Sequence, residues 1–332
     1  MADIKYLGSF PPPYGGVTIK NKLLYEELSR YVSIERRMKN GKVLNEIGNL
    51  LDIIFWKRAF IIGISASRGK SGIVSKCLYW LNRTSMRKSI YFMMGGLEAE
   101  DIANDPRRLK HYAQYKQIFV ETKQMVDVLE KSGLVNVSLF PNCRRKPIEV
   151  ITVTVNRNER LRCVFFSNIQ RVKGVDWILE AAKQVPNVEF YLYGYIENDY
   201  EKEFHEIVDS IENVFYKGIF DGKTKDAVLE LNKYDVLLFP TRWKNEGVPG
   251  VLVEGKIAGL AEVVTNVCYN AELVQNGKEG IVINSDSSKE LMQAIKRLND
   301  DRDMLQKLKE GSKQSADRFY IENYINQVIS FL

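Results

Sequence analysis

The 332-residue sequence has no uninterrupted apolar run approaching the roughly 20 residues that span a bilayer. Its opening, Met1 to Leu7, lacks the charged-then-apolar layout of a secretory leader. The expectation is therefore a chain that stays in the cytoplasm. Cysteine is scarce: Cys77, Cys143, Cys163 and Cys268 form no C-x-x-C pair, and His111 and His205 are the only histidines. That poverty argues against a structural zinc site and leaves reduced thiols as the expected state. Low-complexity tracts and short repeats are missing too. With 45% apolar and 27% charged residues, neither disorder nor a fibrous fold needs considering.

Length alone favours two domains of roughly 150 residues each. The net charge of +6 is mild, yet the first half is denser in cations: Lys57, Arg58, Arg68, Lys70, Lys76, Arg83, Arg87, Lys88, then Arg107, Arg108 and Lys110. A basic half attracts nucleic acid, anionic lipid or phosphorylated substrate, whereas the commonest fate of such charges is a solvated face. Among anionic partners the reading favours a membrane surface, touched peripherally, over nucleic acid.

The chain opens as strand, loop and helix: Ile4 to Leu7, the breaker cluster Pro11-Pro12-Pro13-Tyr14-Gly15-Gly16, then Val17 to Tyr31 with helical spacing. Further strands are expected at Ile34 to Arg36, Ile53 to Trp56, Phe60 to Ile64, Ile90 to Met93, Ile118 to Val120 and Val137 to Leu139. Helices are expected at Gly72 to Asn82, Asp105 to Tyr115 and Thr122 to Ser132. After the polar stretch Arg144-Arg145-Lys146-Pro147 a second series begins. Its strands are Arg162 to Phe166, Val188 to Tyr193, Val214 to Lys217, Val236 to Phe239, Ala261 to Thr265 and Gly280 to Ile283. Helices fit Val175 to Gln184, Glu201 to Ser210, Thr224 to Lys233, Gly250 to Ala258, Asn270 to Gln275, Ser288 to Asn299 and Arg302 to Ser315. Alternation of this kind implies α/β domains with parallel, doubly wound sheets. The expected division is 1–145, 146–315 and a last helical segment, 316–332, whose one candidate destination is the N-terminal domain.

In an open parallel sheet, ligands sit at the carboxyl ends of the strands. One loop stands out there. Val236 to Phe239 runs into Pro240-Thr241-Arg242-Trp243-Lys244-Asn245-Glu246-Gly247-Val248-Pro249-Gly250, and the helix that follows carries Glu254. Gly247 and Gly250 let backbone N–H groups approach a ligand, Pro249 suits a first turn, and a helix start binds anions, such as a diphosphate. Glu246 and Glu254, acceptors when ionised, could grip hydroxyls on either side of it. The bland alternative is a helix-capping Glu246 and a solvated Glu254.

The run Glu246-Gly-Val-Pro-Gly-Val-Leu-Val-Glu254, preceded by Asp235-Val-Leu-Leu-Phe-Pro-Thr241, resembles the signature of the family-four retaining glycosyltransferases, the glycosyl transferases group 1. Phe165-Phe-Ser-Asn-Ile-Gln-Arg-Val-Lys-Gly-Val-Asp176, Tyr191-Leu-Tyr-Gly194 and Phe10-Pro-Pro-Pro-Tyr-Gly-Gly-Val17 agree with it in order and spacing. The resemblance is strong from about Arg162 to Asp300 and thinner before. It implies a GT-B fold, two Rossmann-like domains facing each other across a cleft, with acceptor binding in the first and nucleotide-sugar binding in the second. Carried over residue by residue, it implies that Glu254 binds the nucleotide ribose and Glu246 the donor sugar, and that Lys173 neutralises the departing diphosphate. Glu246 and Lys173 are then the catalytic pair. Amides of Gly16, Gly247 and Val248 would add hydrogen bonds, with Gly194 lining the donor site. Where the pattern carries a second cation this chain has Asn168, and Arg171 is the candidate replacement. A histidine common in the family is absent: Ile90 to Met93 leads instead to Met94-Gly95-Gly96. Gly95, Gly96 and Lys123 are acceptor-side candidates.

No metal and no resident cofactor is expected; the donor is a UDP- or GDP-sugar. Val120-Glu-Thr-Lys123 and Leu139-Phe-Pro-Asn-Cys143 resemble bacterial polysaccharide-assembly enzymes. They imply a glycan or polyprenyl-diphosphate-linked acceptor, in capsule, O-antigen or exopolysaccharide synthesis, at the inner face of the plasma membrane. Two other readings stay open, a nucleotide-sugar binder without catalysis and an epimerase or phosphorylase of the same fold. Gly63 to Ser71 imitates a phosphate loop, but five residues separate its glycines where that loop needs four.

Overall fold

The computed structural model describes residues 3–12, 15–38, 43–64 and 70–332. The chain forms two units, Met1–Lys146 with Phe319–Leu332, and Pro147–Arg318.

The first unit runs β1 (Ile4–Gly8), α1 (Gly16–Leu28), β2 (Ile34–Met38), α2 (Val43–Phe55), β3 (Ala59–Gly63), α3 (Lys70–Leu81), α4 (Arg83–Met86), β4 (Ile90–Phe92), α5 (Glu98–Ala103), α6 (Pro106–Tyr112), β5 (Gln117–Val120), α7 (Lys123–Lys131) and β6 (Val137–Leu139). Its six strands are ordered β2-β1-β3-β4-β5-β6, every neighbouring pair parallel. The inner strands are mostly apolar because helices cover them, as in β1 and β5, buried along their whole length, whereas the edge strand β2, Ile-Glu-Arg-Arg-Met, is polar and only partly buried.

One expected strand is a helix. Ile53 to Trp56 is the end of α2 and the residues beyond it. Its β-branched and aromatic residues suggested a strand, but Leu50, Leu51, Ile54 and Phe55 fall on one side of a helix, and a four-residue apolar run cannot separate the two periods. Pro13, Tyr14 and Arg68, named above in two loops, lie outside the described residues.

The second unit runs β7 (Leu161–Phe166), α8 (Val175–Gln184), β8 (Val188–Tyr193), α9 (Glu201–Asp209), β9 (Val214–Tyr216), α10 (Ala227–Leu231), β10 (Val236–Phe239), α11 (Gly250–Ala258), β11 (Ala261–Thr265), α12 (Asn270–Leu273), β12 (Gly280–Ile283), α13 (Ser288–Asp300) and α14 (Arg302–Ser315). Its order is β12-β11-β10-β7-β8-β9, again all parallel. A helix expected from Thr224 is shorter, because Asp221 accepts hydrogen bonds from the Lys223 N–H and Thr224 Oγ1 and holds a turn, while Asp226 caps α10.

The final segment is not one helix. A 3₁₀ turn at Ile321–Asn323 precedes α15 (Ile325–Ile329). Ile321, Ile325 and Val328 are buried in the first unit's core beside Leu24, Phe119 and Phe140. No helix among the described residues is long and apolar enough to cross a membrane.

Candidate functional site

The second sheet reverses its direction of growth between β7 and β10. The chain moves outward from β7 to β8 and β9, then returns beside β7 and grows the other way through β10, β11 and β12. Loops leaving two strands at such a point diverge and open a crevice at their carboxyl ends. The two loops singled out by the sequence, after β7 and after β10, both start there.

The β7 loop ends in a 3₁₀ turn, Arg171–Lys173, and Gly174 then starts α8 with φ of 81°. Only glycine adopts that conformation cheaply, and a Cβ there would sit 2.1 Å from the Pro240 carbonyl oxygen. Gly174 therefore lets the β7 loop lie directly on the start of the β10 loop. Gly194, after β8, has φ of 144° and would place a Cβ 1.9 Å from the Ser167 carbonyl oxygen. The same intolerance of side chains appears twice around one crevice.

Arg242 fastens the two loops together. Its N–H donates to the Val172 carbonyl at 2.8 Å, and its guanidinium donates to both Asp176 oxygens at 2.9 and 3.0 Å while lying 4.7 Å from the Trp177 ring. The consequence is that Lys173 and Glu246, 73 positions apart, form an ion pair. Their side chains are 6% and 12% exposed. Thr241 Oγ1 donates to Glu246 Oε2 at 3.2 Å, and the Trp243 ring lies 4.4 Å from the Lys173 nitrogen. A pair so enclosed is hard to break without a replacement for each partner, since either charge alone would be left poorly solvated.

Beyond Glu246 the chain passes buried Val248 and Pro249 into α11. The first N–H groups of α11 have no partner within the helix, which makes its mouth suited to anions. Glu254 lies on the second turn and is half-buried. Asn168 is exposed in the β7 loop. Arg171 is drawn to Glu203 on α9 and stacks 4.5 Å from the Tyr200 ring. In this state the candidate substitute cation is thus engaged by a carboxylate on α9.

In the first unit, Gly16 begins α1, exposed, with open space where a side chain would be. Asn21 of α1 accepts from Tyr6 Oη at 2.9 Å and donates to the Ser9 and Gly63 carbonyls at 2.9 and 2.8 Å, holding the ends of β1 and β3 together. Gly95 and Gly96 follow β4, and exposed Lys123 starts α7 after β5. Buried Lys20 and Glu121 pair at 2.7 Å, joining α1 to the end of β5. All of these candidates sit at carboxyl ends of strands in their own sheet. His111 packs against the Tyr79 ring, with centroids 4.2 Å apart, and burial lowers its pKa.

Sequence reasoning gave no role to Thr241, Trp243, Arg242 or Asp176. Thr241 stood within the quoted motif but its hydroxyl's target is set by the fold. A lone loop tryptophan carries no periodicity, so Trp243 had no signal at all.

Two parallel six-stranded α/β units, the second in the dinucleotide-binding strand order with a Lys–Glu pair at its switch point, define a GT-B fold. Residues 160–301 match the model of the family Glycosyl transferases group 1. The chain is 27% identical over 226 residues to the poly(glycerol-phosphate) alpha-glucosyltransferase of Bacillus subtilis (strain 168), which covers 64% of this chain and 32% of that protein. It thus spans about a third of the length of that relative. Among solved structures, Anabaena HepE in complex with UDP-glucose aligns over 100% of both chains at 16% identity and a TM-score of 0.70. The sucrose-phosphate synthase of Thermosynechococcus elongatus aligns over 99% of this chain and 98% of its own at 13% identity and a TM-score of 0.75.

Proposed function

We propose that this protein is a retaining glycosyltransferase that moves a sugar from a UDP- or GDP-sugar to a glycan acceptor carried on a polyprenyl diphosphate, in the assembly of a capsule, O-antigen or exopolysaccharide. The observation that carries the reading is the enclosed Lys173–Glu246 pair beside the mouth of α11. An incoming diphosphate supplies the charge Lys173 would otherwise lose, and sugar hydroxyls supply donors for Glu246. Each group thereby exchanges one partner for another instead of being stranded. Complexes with UDP or UDP-glucose among its structural neighbours support the choice of donor.

In this mechanism the leaving diphosphate gains charge as the glycosidic bond breaks. Lys173, the amides of Gly247 and Val248, and the dipole of α11 are the groups that stabilise it in this reading. Charge balance at the phosphates falls to these groups, so the reaction is read as metal-independent. Glu254 holds the ribose. The leaving phosphate helps deprotonate the acceptor hydroxyl on the same face of the sugar, which preserves anomeric configuration. Gly95, Gly96 and Lys123 are the acceptor-side residues, and the contact with an anionic inner membrane leaflet is peripheral.

A panel of UDP-, GDP- and ADP-sugars tested for thermal stabilisation identifies the donor by mass action. With the stabilising donor and varied lipid-linked acceptors, release of free nucleotide with glycosylated acceptor is the expected outcome. Isomerised sugar would make the protein an epimerase, and saturable binding without turnover would make it a binder.

A further inference from the structure

We propose that the α2–α3 face of the first unit is an insertion surface for an anionic bilayer, in which aromatic and aliphatic side chains enter the headgroup boundary while a basic edge pairs with lipid phosphates. This deepens the peripheral membrane contact proposed above, on which it rests, and it can be tested without any transfer reaction.

The two helices pack side by side. Leu50, Ile53 and Ile73, with Val74 and Cys77, line a groove of about 200 Å³ between them at the ends of β1 and β3. Toward their carboxyl ends the Asn82 amide donates to the Ile53 and Trp56 carbonyls at 3.0 and 2.6 Å, which keeps the last turns of α2 and α3 together. Along this face Leu50, Leu51 and Phe55 of α2 and Ile73, Trp80 and Leu81 of α3 are exposed, Phe55 at 66%, Ile73 at 62% and Trp80 at 68%. Within each helix they recur at separations of one, four, five, seven and eight, so they lie on one side. Large apolar side chains gathered this way mark a surface that is covered in use.

Charge decides what covers it. From Ile53 to Leu97 the sequence carries Lys57, Arg58, Arg68, Lys70, Lys76, Arg83, Arg87 and Lys88 and no aspartate or glutamate. Lys57, Lys76, Arg83, Arg87 and Lys88 are exposed, and Lys88 donates to the Lys57 carbonyl at 3.1 Å, gathering cations at the end that bears Phe55, Trp80 and Leu81. Two carboxylates beside it are neutralised: Asp3 pairs with Arg58 at 2.7 Å, and Asp52 with Lys5 and Arg37. A second copy of this chain would bring the same sign of charge against itself. A leaflet of anionic lipid accepts both the apolar side chains and the cations, the combination that holds amphipathic surfaces at an interface.

The test uses the full chain with vesicles of phosphatidylcholine alone or mixed with phosphatidylglycerol. Expected are sedimentation with the mixed vesicles that weakens as salt rises, and a blue shift of tryptophan emission that disappears in Trp80→Phe. Phe55→Ser combined with Trp80→Ser should lower vesicle affinity by at least about tenfold, as should Lys57→Glu combined with Lys88→Glu, since two signals are needed for stable attachment. Thermal stabilisation by UDP-sugar, read in parallel, should be the same in all variants, and its absence would count against the transferase reading, not against this one. Failure to bind mixed vesicles at low salt would overturn the proposal. So would undiminished binding by both double variants, or a dimer abolished by Phe55→Ser with Trp80→Ser in a protein that ignores vesicles.

Discussion

The Lys173–Glu246 pair gives opposite expectations for two acidic residues eight positions apart. Glu246→Ala removes the proposed sugar contact and also strands a lysine whose side chain is 6% exposed, so it should lower kcat by about 10²- to 10³-fold. It should also destabilise the folded protein by roughly 3 kcal/mol. Glu246→Gln, which keeps an acceptor for Lys173, should lose activity with less of the stability cost. Glu254→Ala should chiefly raise the donor KM, by about tenfold, since the proposed hydrogen bond to ribose is worth little more. Steady-state kinetics beside urea melts separates these outcomes, and equal small effects from both alanines would mean the two carboxylates are merely structural.

Glycine placement governs the loops as elements. Gly174→Ala forces a Cβ against the Pro240 carbonyl at positive φ, and no flexible side chain can move aside. A loss of about 2–4 kcal/mol in urea denaturation is expected, with a weaker donor-induced thermal shift because the β7 and β10 loops separate. Such elements were largely legible beforehand. Both ends of α8 followed from the spacing of Val175, Ile178, Leu179 and Ala182, buried on one side. The loop after β10 followed from glycine, proline and acid chemistry, and the family match covers it. What escaped was whatever depends on distant chain segments. Nothing local says that Lys173 and Glu246 meet in one enclosure, or that Ile53 continues a helix, because an apolar quartet serves either period until its packing partners are known.

At the scale of the molecule, a charge cluster with three buried members joins α11, β11 and the residue before β12 to the last residue of the second unit. Lys256 of α11 lies 2.8 Å from Glu262 of β11 and 3.0 Å from Glu279, and Arg318 donates to both Glu279 oxygens at 2.9 and 3.0 Å. Burial outweighs Lys256 and pushes Glu262 up to about 7. An unfolded glutamate ionises near 4.3, so between those values the native state holds a proton the unfolded state has released. This group's contribution to stability is therefore full at acid pH, falls as pH rises toward 7 and is level above it, a loss on the order of 3 kcal/mol. Urea midpoints near pH 5 and pH 7.5 should show this slope in the native protein and not in Glu262→Gln. Ending the chain after Arg318 removes Ile321, Ile325 and Val328 from the first unit's core. A loss on the order of 5 kcal/mol is expected, visible as rapid proteolysis of 1–146 while 147–318 persists.

That return of the chain also sets an order of events on the ribosome. Residues 147–318 are contiguous and can close their core as soon as they have emerged, whereas the amino-terminal sheet, translated first, must wait for the final stretch before its interior is sealed. The half made earliest is the half completed last, and until then its apolar interior is what a nascent-chain chaperone would meet.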